Sequence, residues 1–279
     1  MRVRRAIVPF VGGLVLGARL GRRGREETRA DRAAIERQME QLRHEYEKQD
    51  RMRRDFTANV SHELKTPLTS ISGYAEIIRE GLVRTEDVGR FAGKIYEEAQ
   101  RLIALVEDIL DLSRLDEGAP NAEERRDVDL YALCEGAIVS LAAAARQRGI
   151  VFTLTGGHET VWGAEKILSE IVGNLCDNAV KYNKENGRVE VSVVREGAYV
   201  VLTVQDTGIG IPAGEQDRVF ERFYRVDKSH SKEIGGTGLG LSIVKHAAAY
   251  HDARIELDSQ LGKGTRVRVL FHPAAEGAR

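Results

Sequence analysis

Apolar residues recur at helical spacing through much of the first 115 residues. In residues 56–82 they follow at intervals of three and four, along one face of a helix, and a similar stripe occupies residues 91–112. The connection EGLVRTED is short, so the two helices are predicted to form an antiparallel hairpin. Both stripes are too wide for one hairpin to cover. We therefore expect residues 55–117 to pair with a second copy in a dimeric four-helix bundle.

A charged helix is expected to precede the hairpin. Residues 26–54 contain no glycine or proline, and Ile35, Met39, Leu42 and Tyr46 follow one another at intervals of four, three and four. That spacing is typical of a coiled-coil seam, whereas the composition alone also fits a solvated single helix. We interpret this segment as a signalling helix that extends the axis of the bundle.

The first 25 residues contain seven arginines and no acid. They flank the apolar stretch AIVPFVGGLVLGA, which as a helix would be about 20 Å long, against about 30 Å of hydrocarbon in a bilayer. Residues 1–25 therefore fit a short or interfacial membrane anchor, an apolar docking helix, or a cleaved or disordered segment. We expect the catalytic region to be cytoplasmic and attached to the inner face of the membrane.

A different composition begins after a polar linker at residues 118–127. Apolar alternation predicts strands at 150–155, 160–163, 188–197, 199–206, 254–259 and 265–271, and helical patterns lie at 130–148, 165–182 and 239–250. This mixture, with a sheet that looks antiparallel, predicts an α+β domain over residues 128–273. Residues 274–279 form a tail.

Charge and cysteine content narrow the function. The formal net charge is −1, so no basic field favours nucleic acid as a partner. Cys134 and Cys176 match neither a metal-binding spacing nor a CxxC pair, so we expect both to be buried and reduced.

The first hairpin helix carries a candidate reactive group. His62 lies two positions after Val60, about 200° around the helix, and should point away from the bundle core. Pro67 removes the backbone N–H that would bond to the carbonyl of Glu63, so the helix can bend one turn from the imidazole. An exposed histidine beside an acid and a bend indicates a reactive site.

These residues carry a family resemblance. SHELKTPLTSI resembles the phosphoacceptor motif of bacterial two-component sensor histidine kinases, with the helical hairpin and Bergerat-type ATP-binding sandwich that this implies. Four further motifs follow in the family's order: NLCDNAVKY resembles the N box, DTGIGIP the first glycine box, VFERFYRVD the F box and GGTGLGLSIVK the second glycine box. FTANVSHELKTPLTSI is most similar to sensors of the phosphate-regulon type.

The resemblance implies roles for the N box and for the first glycine box. Asn178 would give an oxygen to Mg²⁺, with Asn174 one turn earlier on the same helix face. Lys181 would reach phosphate, and Tyr182 would line the adenine site. The family uses the aspartate that is Asp206 here to accept a hydrogen bond from the adenine amine, with the tight path beside the base at Gly208 and Gly210.

The F box and the second glycine box would complete the site for ATP. Gly236, Gly238 and Gly240 precede a helix whose N-terminus favours phosphate, and Arg225 or Arg222 could pair with phosphate. The segment DKSHSKEIGG is interpreted as an ATP lid. One departure is Ala164, because related chains often have an aspartate there that caps the following helix.

The implied activity is phosphoryl transfer from Mg-ATP to His62 and then to an aspartate of a response-regulator receiver domain. Glu63 would polarise the imidazole, and Thr66 would position water for dephosphorylation of the regulator. Two alternatives are an ATPase of the gyrase and heat-shock chaperone superfamily and a nucleotide-binding dimeric scaffold. The superfamily ATPases carry a water-activating glutamate where this chain has Asn174, which favours transfer over hydrolysis.

Overall fold

The computed structural model describes residues 8–116, 125–226 and 236–274, and it separates into two units, residues 1–62 and 63–279. Several of the expectations above fall outside the described residues. They concern the start of the N-terminal segment, most of the linker, nearly all of the lid and the tail: residues 1–7, 117–124, 227–235 and 275–279.

Helix α1 spans Val8–Arg79 and helix α2 spans Val88–Asp116, joined through a 3-10 turn at Thr85–Asp87. The predicted hairpin is therefore present, and the rings of Tyr74 and Phe91 meet edge to face at 5.7 Å between its two helices. No helix in the described part of the chain combines the length and the apolar content needed to cross a membrane.

The second domain begins with strand β1 at Arg125–Asp129 and continues as an alternation of helices and strands. In chain order its elements are α3 Leu130–Gln147, β2 Val151–Gly156, β3 Thr160–Ala164, α4 Glu165–Lys181, β4 Arg188–Glu196, β5 Tyr199–Asp206, a 3-10 turn Ala213–Glu215, α5 Gly240–Tyr250, β6 Arg254–Gln260 and β7 Gly264–Phe271. The predicted order of a helical hairpin followed by a sheet domain is confirmed.

The main sheet is mixed, which corrects the expectation of an antiparallel sheet. Its strand order is β2-β4-β5-β7-β6, and β2 pairs with β4 in parallel, whereas the other pairs are antiparallel. The chain between these two parallel strands contains α4, and parallel neighbours need such a crossover. Sequence alternation is the same for both orientations, so it did not reveal the parallel pair.

Strand β1 corrects the extent of the linker. Arg125, Arg126 and Asp127 were placed in the linker 118–127, but they pair with Ala164, Gly163 and Trp162 of β3 in a separate two-stranded sheet. The signal was weak because charged residues fill these three positions and only Val128 of β1 is buried. The folded domain therefore includes residues 125–127.

The core lies between the main sheet and the helices. Apolar residues of α4 are buried together with alternating residues of the central strands: Leu168, Ile171, Val172, Leu175, Val189, Val191, Val200, Leu202, Val267 and Val269. Cys134 and Cys176 are free thiols in this core, as expected, and burial raises the pKa of both. Neither is a thiolate at neutral pH, so both are structural.

The N-terminus of α4 is capped from a distance. Ala164 occupies the N-cap position and has no side chain that could accept a hydrogen bond. The backbone N–H of Ala164 itself, one of the unpaired donors at the start of the helix, donates to Nε2 of buried His251, 3.2 Å away, and Nδ1–H of His251 donates to the carbonyl of Ala247 at 2.9 Å. The two bonds require a neutral imidazole with its proton on Nδ1. Burial, the largest effect, lowers the pKa of His251.

This cap predicts a pH dependence of stability. Because the folded pKa of His251 is depressed, its contribution is complete above the unfolded pKa of about 6.5 and is lost as pH falls through the folded pKa. Urea unfolding of wild type should therefore show a falling midpoint below about pH 6.5. His251→Gln should flatten that part of the profile, because glutamine offers a donor and an acceptor that do not titrate.

The matched control is His272→Gln, a change at an exposed histidine of the same domain. It should leave the pH profile of the unfolding midpoint as in wild type. A profile that His251→Gln does not alter would show that this imidazole is not the titrating cap.

Candidate nucleotide-binding site

Helix α4 buries one face in the core and presents a polar face that carries the N-box residues. Asn174 donates from Nδ2 to the carbonyl of Glu170, one turn earlier, at 2.9 Å. Lys181 forms an ion pair with Asp177, with Nζ and Oδ2 2.6 Å apart. The start of α5 lies against this face: a methyl group placed on Gly240 would sit 2.8 Å from Oδ1 of Asn174. The absent side chain at Gly240 therefore lets the second glycine box approach the two asparagines.

The second glycine box also meets the end of α4 and the F box. A Cβ on Gly236 would lie 2.7 Å from the hydroxyl oxygen of Tyr182. Gly238 has φ of +75°, and its carbonyl accepts the N–H of Phe223 at 2.9 Å. The backbone turn thus needs glycine at position 238, and it joins the F box to the glycine box.

The first glycine box is built from close backbone approaches. The N–H of Ile209 donates to the carbonyl of Tyr182 at 3.0 Å, and Gly208 lies so close to that carbonyl that a side chain would collide with it. Gly210 has φ of +67° and passes equally close to the carbonyl of Gln260. Both glycines are therefore required by space, and the loop lies directly beside the end of α4.

Asp206 sits at the base of this loop. Its Oδ1 accepts the N–H of Gly208 at 2.7 Å and the N–H of Thr265 at 3.3 Å. Burial raises the pKa of Asp206, and the two hydrogen bonds oppose that effect. The carboxylate is thus held in a fixed orientation in a partly desolvated position, where a hydrogen bond from a ligand would be strong.

Arg225 of the F box is buried and lies beside the acid that follows the candidate histidine. Its side chain is 7% exposed, and its Nη2 lies 3.4 Å from Oε2 of Glu63. Burial lowers the pKa of Arg225, and Glu63 opposes the effect. Arg222, the other F-box arginine, is close to His246 of α5, with Nη2 and Nε2 3.0 Å apart. Both F-box arginines therefore contact side chains of the protein itself.

His62 and Thr66 are both exposed on α1, whereas Pro67 is buried within the same helix. The exposure of the histidine agrees with its predicted position away from the apolar stripe. An imidazole that is exposed on a helix surface is accessible to a group presented to it from solvent.

Sequence reasoning missed an acid of α2 at the glycine box. The hydroxyl of Thr237, between Gly236 and Gly238, donates to Oδ2 of Asp108 at 2.6 Å. Burial raises the pKa of Asp108, while Thr237 and the charge of Lys181 oppose the effect. Leu105 and Leu112, on the same helix face as Asp108, are buried, and α2 packs against α5. The signal in the sequence was an acid, Asp108, at helical spacing between the apolar residues Leu105 and Leu112.

Other missed residues stabilise the first glycine box and α4. Asn183 and Thr207 link the two segments by a side-chain hydrogen bond of 3.1 Å. Glu170 lies among charged groups of both domains; burial, followed by the charge of Asp111, raises its pKa to about 7. Thr207 lies inside the first glycine box and Asn183 directly follows the N box, but the motifs gave neither residue a role, because their contacts depend on which chain segments the fold brings together.

The described residues contain no group of three or more His, Cys, Asp or Glu side chains suited to hold a metal. The oxygen of an asparagine such as Asn178 is nonetheless a hard ligand of the kind Mg²⁺ accepts. Magnesium bound with a nucleotide takes one or two protein oxygens, and phosphates and waters supply the rest. The donors on the polar face of α4 fit that arrangement.

Comparisons with known proteins agree with this architecture. The family model described as His Kinase A (phospho-acceptor) domain matches residues 52–118. The model described as Histidine kinase-, DNA gyrase B-, and HSP90-like ATPase matches residues 163–275. The chain belongs to the two-component sensor histidine kinase family.

Named relatives lie in the same family. The chain is 41% identical over 222 residues to the sensor-like histidine kinase SenX3 of Mycobacterium tuberculosis, covering 79% of this chain and 54% of SenX3. It is 36% identical over 228 residues to the sensor histidine kinase WalK of Bacillus subtilis, covering 80% and 37%. The chain thus spans about half the length, or less, of these relatives.

A solved structure of similar fold is full-length ShkA in complex with AMPPNP. It superposes with a TM-score of 0.57 at 28% identity, over 78% of this chain and 46% of ShkA. The similarity extends over both the helical hairpin and the sheet domain, as the coverage requires.

Proposed function

We propose that this chain transfers the γ-phosphoryl group of Mg-ATP to His62 and then to an aspartate of a response-regulator receiver domain. The proposal rests on the presence of a candidate phosphoacceptor and a candidate ATP site in the same chain. An exposed histidine lies in the phosphoacceptor match, and in the ATPase match both glycine boxes converge on the end of α4.

The nucleotide would bind where these elements converge. Asp206 would accept from the adenine amine, with Oδ2 available to the base because the two backbone bonds end on Oδ1. Gly208 and Gly210 would bring the chain beside the base, and Tyr182 would line the pocket. ShkA, a solved relative, was crystallised with AMPPNP, which supports ATP as the nucleotide.

The phosphates would lie at the N-terminus of α5. Gly236, Gly238 and Gly240 permit backbone N–H groups to approach them, and the helix end favours negative charge. Lys181 would contribute a positive charge. Asn178 would hold Mg²⁺, which when bound offsets charge on the triphosphate, and Asn174 would lie beside the nucleotide one turn earlier.

The chemistry needs a neutral imidazole. A ring nitrogen of His62 forms a bond to the γ-phosphorus, the bond from that phosphorus to the bridging oxygen breaks, and ADP leaves with the electron pair. Glu63 would accept the proton of the other ring nitrogen in a hydrogen bond and stabilise its developing charge. Arg225 would orient Glu63, because their side chains lie 3.4 Å apart. In the reverse role, Thr66 would position water to dephosphorylate the regulator.

Two rival functions make different predictions. An ATPase needs a base beside the metal, but the corresponding residue, Asn174, is a neutral amide whose nitrogen donates to a backbone carbonyl. A non-catalytic scaffold would bind nucleotide and leave His62 unmodified. Detection of phosphohistidine on the purified chain separates the kinase from both.

We further propose that the functional unit is a homodimer attached to the membrane. Tyr96, Ile103 and Leu110 follow one another at intervals of seven on α2 and are 66%, 51% and 50% exposed. An apolar residue at every seventh position is the pattern of a helix that packs against another helix. The arginine-flanked N-terminal segment would contact the membrane and leave the catalytic domains in the cytoplasm.

The phosphoacceptor is tested by substitution of His62. His62→Gln should abolish ATP-dependent labelling, because glutamine has no nucleophilic ring nitrogen, and should leave nucleotide affinity unchanged. His44→Gln, at an exposed histidine of the same helix, is the matched control and should be labelled like wild type. Acid-labile label that persists in His62→Gln would refute the assignment.

The contact of Asp108 with Thr237 predicts competition with nucleotide. The carboxylate occupies a donor of the glycine box and adds negative charge where the phosphates would bind. Asp108→Ala should therefore bind Mg-ATP roughly ten- to a hundredfold more tightly, because a charge-assisted hydrogen bond is worth about 1.5–3 kcal/mol. Calorimetric titration checks this.

Glu107→Ala serves as the control for Asp108→Ala, since Glu107 is its exposed neighbour on α2. Its affinity for Mg-ATP should equal that of wild type. Equal or weaker binding by Asp108→Ala would mean that the carboxylate supports the site and does not compete with it.

The dimer is tested with a fragment of residues 26–118. Analytical ultracentrifugation should show a helical dimer, because the stripe at Tyr96, Ile103 and Leu110 would otherwise face water. Ile103→Glu should shift the fragment toward monomer, whereas Glu107→Gln, at an exposed charged position, should not. A stable monomer of the unaltered fragment would exclude the four-helix bundle.

A further inference from the structure

The two halves of the nucleotide site come from separate segments of the chain. Asn178 and Lys181 lie in the last turn of α4 and Tyr182 follows it, whereas Asp206 is the last residue of β5 and Gly208 comes after the strand. The chain between the two groups, residues 183–205, forms β4 and nearly all of β5. The distance between the metal-binding amide and the adenine-binding carboxylate must therefore be set by contacts between the two segments.

Asn183, the second residue after α4, provides the main contact. It is 4% exposed, and its Nδ2 donates to the carbonyls of Ala179 and Arg188 at 3.0 Å each. Its Oδ1 accepts the N–H of Lys184 at 3.0 Å and the hydroxyl of Thr207 at 3.1 Å. A carboxamide has two donor hydrogens and two acceptor positions. All four are used, so its orientation is fixed.

Thr207 completes the connection from the other side. It stands between Asp206 and Gly208, and its hydroxyl accepts the N–H of Arg188 at 2.9 Å while it donates to Asn183. Its backbone N–H donates to the carbonyl of Arg188 at 3.2 Å. The residue beside the adenine-binding carboxylate is thus bonded directly to the residue that ends the metal-binding helix.

The ends of this connection are themselves held. The guanidinium of Arg148 donates to the carbonyls of Lys181 and Asn183, at 2.7 Å each, and also to that of Val180. A positive charge at the C-terminus of α4 is favourable to the helix dipole. Removal of a single hydroxyl at Thr207 should therefore leave the fold intact and loosen only the link between the two motifs.

We propose that Asn183 and Thr207 are positioning residues that set the spacing between Asn178 and Asp206. This inference rests on the proposed nucleotide site. Neither residue touches the nucleotide; they act by holding the amide and the carboxylate at a separation that suits adenine and Mg²⁺-bound phosphate at the same time. The spacing matters only for a ligand that spans both groups. Adenosine, which reaches only the adenine half, should be less sensitive than Mg-ADP.

The test compares Thr207→Val with Thr207→Ser in the full chain. Valine is nearly isosteric but lacks the hydroxyl, whereas serine retains it. Thr207→Val should weaken Mg-ADP binding by about tenfold, the amount expected for one lost buried hydrogen bond. Its affinity for adenosine should change much less, and Thr207→Ser should restore most of the Mg-ADP affinity. Thr203→Val, on the same strand β5, is the matched control and should bind like wild type.

Thermal unfolding of each variant, followed by circular dichroism, establishes that the chain is folded at the temperature of the titration. A second measurement uses a double-mutant cycle. In an Asn183→Ala background, Thr207→Val should cost little further affinity, because the partner of the hydroxyl is already gone. Additive losses would show that the two residues do not act through their shared bond.

Several outcomes overturn the proposal. They are unchanged Mg-ADP binding by Thr207→Val, equal losses for adenosine and Mg-ADP, and a Thr207→Ser variant no better than valine. The proposed function can fail on its own. If wild type binds Mg-ADP but His62 is never labelled, the kinase activity is refuted, whereas the positioning role of Asn183 and Thr207 is not. Wild type that binds no nucleotide would refute both.

Discussion

The nucleotide site depends on the burial of one face of α4. Leu168, Ile171 and Leu175 are withdrawn from water against the valines of the main sheet, and each such side chain contributes about 1.5–3 kcal/mol. With this face fixed, the helical repeat places Asn174 and Asn178 beside it, about 80–120° around the helix from Leu168. Both glycine boxes then approach that polar side. A rotation of α4 by one residue would both expose the leucines and withdraw the asparagines, so packing and ligand binding select the same orientation.

The glycine boxes need glycine because it lacks a side chain as much as because its backbone is flexible. Gly208 and Gly240 have no room for a side chain, because a backbone carbonyl and the Asn174 amide already occupy it. Each motif is therefore fitted to the neighbouring segment. From the sequence alone, these glycines suggest a flexible backbone. In the folded domain, they are positions that do not tolerate a larger residue.

The local features were predictable from the sequence. The apolar stripes predicted the helical hairpin, alternation predicted the strands of the main sheet, and the motifs indicated where the glycine boxes lie. Features that depend on which strands or distant residues contact one another could not be predicted from the sequence. The parallel pair of β2 and β4 has the same alternation as an antiparallel one, and β1 is too polar to be distinguished from a linker. The contacts of Asp108 and Asn183 join residues that are distant in sequence, so no spacing rule could reveal them.

The cap of α4 by His251 has a consequence for the order of folding. A side chain at the N-cap position would let the helix begin as soon as its own residues were synthesised. Here the acceptor lies 87 residues later in the chain. Local caps form quickly, whereas contacts of large sequence separation must wait for loop closure. The N–H of Ala164 at the start of the N-box helix therefore gains its partner only after most of the domain has emerged from the ribosome. Because residue 164 is alanine, no side chain at the N-cap position offers the helix a local hydrogen bond in the meantime.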